Sequence, residues 1–113
     1  MRISSSTVLL IKLKGPNDLS VTAKNRLNDT IDITVNDQNG TKACSIPVRL
    51  PDCIYLELSS GAEIVGASLA GVRFNRDKLS SVAKFHTDRY IEINLFDVDP
   101  FLYHLNIGTN ILI

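Results

Sequence analysis

The chain has no tryptophan, only two cysteines, only two histidines, and three tyrosines and four phenylalanines among its 113 residues. Without tryptophan, the exposed aromatic platforms that sugar-binding modules use are thinly supplied. No apolar run approaches the roughly 18–20 residues that a membrane helix needs, so the membrane is not an expected partner. Neither sign of charge dominates: twelve Lys plus Arg face twelve Asp plus Glu. No long-range field therefore concentrates a polyanion, and nucleic acid is not an expected partner either. The basic tract Arg73, Arg76, Lys78 and Lys84 is interleaved with Asp77 and Asp88 and reads as a solvated face.

The scarcity of metal ligands and nucleophile contexts narrows the chemistry further. Cys44 and Cys53 form no CxxC, and His86 and His104 lie far from both in sequence, so zinc-ligand spacing is missing. The apolar stretch 8–13 is interrupted by Lys12 and lacks a small-residue cleavage site. It reads as a strand rather than a signal peptide, which suggests synthesis in the cytoplasm and two reduced thiols. Gly61, Gly66 and Gly71 recur at five-residue intervals that match neither phosphate-cradling glycine motif. His86 and His104 are the only bases tuned near neutral pH; neither stands in a recognised nucleophile context, and surface or capping roles are expected of them. Asp97 and Asp99 would point the same way from a strand and suit a hard cation, but Pro100 makes turn capping the simpler role. Glu57 and Glu63 flank a turn with nothing nearby to raise a carboxyl pKa. The expectation is a protein without enzymatic activity, cofactor or metal.

What is present is regular alternation. Apolar residues make up 44% of the chain and charged residues 21%, which excludes the disordered and fibrous classes and fits one domain over residues 1–113. Residues 7–14 (TVLLIKLK) place Leu9, Ile11 and Leu13 on one face, and Val8 and Leu10 predict that the first half is covered on both faces. Gly15-Pro16-Asn17-Asp18 is a strong turn. Residues 30–35 (TIDITV) predict one strand with Ile31, Ile33 and Val35 facing in, leading through residues 36–40 into a hairpin. Pro47 and Pro51 bracket 48–50 and predict a sheet edge or a crossover between sheets. Residues 53–58 (CIYLEL) align Ile54, Leu56 and Leu58. In residues 63–74, Gly66 and Gly71 mark a bulge, a bend or a close approach, with Val65, Ala67 and Leu69 on one face. Residues 75–85 form the one helical window, capped by Asn75 with Asp77 in its first turn, and His86 at its end; the window is short, and a loop is the rival reading. Residues 89–97 (RYIEINLFD) read as a half-buried strand.

About eight short extended segments with at most one short helix predict a mainly β fold: an antiparallel β-sandwich or a jelly-roll-like barrel. After Gly108-Thr109-Asn110 the chain continues with Ile111, Leu112 and Ile113, and residues 108–113 read as a candidate C-terminal arm that adds to its own sheet or to a neighbour's. Phe101, Tyr103, Ile111, Leu112 and Ile113 are accordingly the candidate interface residues. These features suggest a structural or assembly protein that forms a homo-oligomer, a dimer or trimer, and binds a larger protein particle. On size and fold analogy alone, that particle would be a virion, and the chain a capsid decoration or tail subunit of a virus or phage. The alternative is a small monomeric protein- or glycan-binding module or inhibitor presenting loops such as 36–40 and 97–100.

Overall fold

The computed structural model describes residues 5–98. Two antiparallel sheets of five strands face each other. The first, sheet A, has the order β4-β5-β1-β7-β8, and the second, sheet B, has the order β3-β2-β6-β10-β9. Their strands are β1 (Ser5–Lys14), β2 (Val21–Asn25), β3 (Thr30–Ile31), β4 (Thr34–Gln38), β5 (Thr41–Leu50), β6 (Cys53–Leu58), β7 (Glu63–Leu69), β8 (Val72–Arg73), β9 (Ala83–Thr87) and β10 (Tyr90–Asn94). One helix, α1 (Arg76–Val82), and a short 3-10 turn, η1 (Phe96–Val98), complete the described elements. Of the two predicted architectures the chain adopts the sandwich, with ten described strands rather than about eight; β3 and β8 are two-residue pieces.

The two-residue period builds the core. Leu9, Ile11 and Leu13 of β1 point inward, each fully buried, between Ile46 and Cys44 of β5 and Leu69 and Ala67 of β7. From the opposite sheet, Ile54 and Leu56 of β6 and Ile91 and Ile93 of β10 meet them, joined by Leu95 and Val98. Both cysteines are free thiols.

The chain passes between the sheets where the sequence cannot sustain a ladder. Pro47 lies opposite Val8 in a part of β5 that β4 no longer pairs, so its missing N–H falls at an open edge. Pro51 stands where the chain leaves sheet A for sheet B. The hairpin from β4 to β5 turns through Asn39 and Gly40 alone, at φ 51° and 82°, the geometry of a type I′ turn that matches strand twist.

Several expectations are corrected. Residues 30–35 are not one strand: β3 belongs to sheet B and β4 to sheet A, so the chain crosses over at Asp32 and Ile33, and Val35 lies exposed at the edge of the sandwich. The face of β1 bearing Val8 and Leu10 is not covered, since Val8 is 50% exposed. Val65 does not share a face with Ala67 and Leu69: an irregularity in β7 opposite Lys12 and Leu13 inserts it as an extra residue, and it is 48% exposed. The two glycines do as expected: Gly71 sits with Ala70 in a tight turn, both at positive φ, and Gly66 lies at the irregularity. The helix begins as expected, with the Asn75 side chain accepting from the Lys78 N–H at 2.7 Å. It stops at Val82 instead of Phe85, because residues 83–87 pair with β10. His86 is therefore a strand residue.

Candidate functional site

The candidate interface residues Phe101, Tyr103, Ile111, Leu112 and Ile113, together with His104 and Asp99, lie outside the described residues. Glu57 and Glu63 belong to different sheets, β6 and β7, so they do not form a carboxylate pair. Among the described residues, no group of three or more His, Cys, Asp or Glu is arranged to hold a metal ion, and no helix is long and apolar enough to cross a membrane.

Two outward faces carry chemistry. On sheet B, pairing places Tyr55 beside Glu92 and Cys53 beside Asn94, while β9 delivers His86 to the same surface. His86 Nε2 lies 2.6 Å from Glu92 Oε1, and the Cys53 thiol donates to Glu92 Oε2 at 3.6 Å. The rings of Tyr55 and Tyr90 stack at 5.9 Å with only 10° between their planes. Burial, followed by the nearby carboxylates, pushes the Cys53 thiol up, against a hydrogen bond from Tyr55 that lowers it. The Tyr55 phenol is itself pushed up to about 12, first by the side-chain hydrogen bond with Cys53 and then by burial. The hydrogen bond from His86 holds Glu92 below its usual range. A thiol nucleophile needs an imidazole or other cation at sulfur; here a carboxylate occupies that position and favours the protonated thiol. These residues form a cross-strand polar network that binds strands together. Residues 53, 86 and 92 come together only through strand pairing, so their spacing in the sequence gave no signal.

Sheet A presents a different surface. Its outward residues on the central strands include Val8, Leu10 and Lys12 of β1, with Pro47 directly opposite Val8. Val8, Pro47 and Val65 are exposed and Leu10 is half-buried. Beside them lies an open groove of about 970 Å3 lined by Leu10, Lys12, Val65, Gly66 and Ser68 on the strand side and by Arg76, Leu79 and Ser80 of α1 on the other. Arg73 and Glu63 also line it. A Cβ at Gly66 would touch only the Lys12 Cδ, at 4.0 Å, so the strand wall stays low and open there. Arg73 and Arg76, expected on a solvated face, are thus gathered at a concavity by the β7–β8 turn and the start of α1.

No family model, curated protein or solved structure matches the chain. The functional reading therefore rests on its own residues.

Proposed function

We propose that this chain is a non-catalytic assembly protein that docks through the outer face of sheet A, associating with copies of itself and attaching to a larger protein particle. The observation that carries this reading is the apolar side chains left uncovered on the outer face of β1, β5 and β7: Val8 at 50% exposure with Pro47 opposite it and Leu10 two positions on, and Val65 at 48% farther along the same face, opposite Lys12 and Leu13. Apolar side chains set along one sheet face are available to a partner that spans that face. Their burial between subunits supplies the non-directional part of a stable interface. A capsid decoration or tail subunit of a virus or phage is the setting that fits the size and the sandwich by fold-level analogy.

Light scattering coupled to size exclusion, on the full chain across a concentration range in reducing buffer, tests the proposal. A dimer or trimer that dissociates when Val8 and Val65 are both replaced by Asp, with the fold intact by circular dichroism, supports it. A wild-type monomer at every concentration refutes self-association.

A further inference from the structure

The β7 edge is only partly paired. Strand β8 covers just Ser68 and Leu69 of β7, and the Phe74 N–H extends the contact by one bond to the Ala67 carbonyl at 2.9 Å. Residues 63–66 have β1 on one side and, among the described residues, no strand on the other. This stretch spans about 13 Å. An unpaired strand edge is a template on which a further extended segment forms main-chain hydrogen bonds, and here the edge opens directly into the groove between β7 and α1.

The groove also has a charge. Lys12, Arg73 and Arg76 line it against the single carboxylate of Glu63, in a chain whose formal charge is zero. None of these three cations makes an ion pair with a described residue. Alternation then fixes what an added strand must carry. One set of its side chains would lie on the outer face of sheet A, toward Lys12 and Arg73. The other set would lie toward the half-buried Ile64 and Leu79, which pack on the core.

We infer that the open edge of β7 at residues 63–66 accepts an extended segment of a partner protein in which acidic residues alternate with apolar ones, adding as a sixth strand to sheet A. The inference rests on the docking role proposed for this face but fails separately from it. A chain that self-associates through Val8 and Val65 yet binds no acidic strand defeats this inference alone.

The probe is a fluorescent peptide of about eight residues alternating glutamate and valine, titrated against the full chain and followed by anisotropy. Three comparisons accompany it: the same peptide with lysine for glutamate, a version N-methylated at every second residue, and the R73E/R76E variant. The expected result is saturable binding of the acidic peptide that weakens with added salt and falls about tenfold or more in R73E/R76E. Binding should be lost on N-methylation, which removes edge hydrogen bonds without altering the protein. Slowed hydrogen exchange at the Ile64 amide, which the register turns away from β1, locates the strand when it appears on peptide addition. Equal binding of the lysine or N-methylated peptide overturns the inference. So does full protection of the Ile64 amide in the free chain, which would mean that the edge is already occupied by the chain itself or by a second copy.

Discussion

Replacing Ile11 by Ala tests the inside-outside assignment on which the reading of sheet A depends. Ile11 is fully buried at the centre of β1, with Cys44 of β5 and Ala67 of β7 as its pairing partners. Both partners are small, so the neighbours have few side-chain atoms with which to close a cavity. The cost should therefore fall in the upper part of the range for Ile-to-Ala changes, about 4 kcal/mol. Val8, three positions earlier, points outward and is half exposed, so Val8→Ala should cost no more than about 0.5 kcal/mol. The assay is urea unfolding at a fixed, low protein concentration, so that association does not add to stability. With a denaturant slope of about 1.5 kcal/mol/M, Ile11→Ala lowers the midpoint by about 2–3 M, while Val8→Ala barely moves it. If Val8→Ala costs as much as Ile11→Ala, or Ile11→Ala costs less than about 1.5 kcal/mol, β1 presents the opposite face to the core. The docking surface proposed for Val8 would then be wrong.

Other predictions probe the caps, turns and titrating groups. Asn75→Ala removes the side-chain acceptor for the Lys78 N–H and should cost about 1 kcal/mol in the same unfolding assay. Gly40→Val meets no atom within 4 Å but must hold φ +82°, so backbone strain alone should cost about 1–2 kcal/mol; Gly66→Ala, with no positive φ, should stay within about 0.5 kcal/mol. Tyrosinate absorbance should show one phenol ionising near 12, and Cys53→Ala should bring it down by removing the largest cause of the shift. Because that phenol is raised in the fold, its contribution to stability is complete below the ordinary tyrosine pKa of about 10 and is lost as pH rises from there through about 12. Glu92 has the opposite sign: its lowered carboxyl stabilises the fold above its unfolded pKa, and this is lost as pH falls through the folded value. A carboxyl NMR titration should show His86→Ala moving Glu92 upward.

Local periodicity alone determined the class of fold. The alternation in residues 7–14 and 53–58 put Leu9, Ile11, Leu13, Ile54, Leu56 and Leu58 in the core because a strand turns its side chains to opposite faces with a period of two. A hairpin turn within residues 36–40 and the cap at Asn75 were legible for the same reason, since turn residues and a free side-chain acceptor at a helix start act on their immediate neighbours; that residues 36–38 extend β4 and only Asn39-Gly40 turn was decided by pairing with β5. Where two local signals competed, pairing decided. Residues 83–85 fall within the helical window, yet β10 offered residues 83–87 a ladder, and that ended α1 at Val82. Residues 30–35 keep an unbroken alternation across a change of sheet, because side-chain period does not record which sheet a strand joins. Val65 changed face through a one-residue irregularity against β1 that no spacing in β7 announces. The groove, the open edge of residues 63–66 and the contact of Cys53 and His86 with Glu92 were settled only by tertiary structure. Each joins residues distant in sequence, and strand order, which sets those neighbours, depends on how the two sheets close over one core.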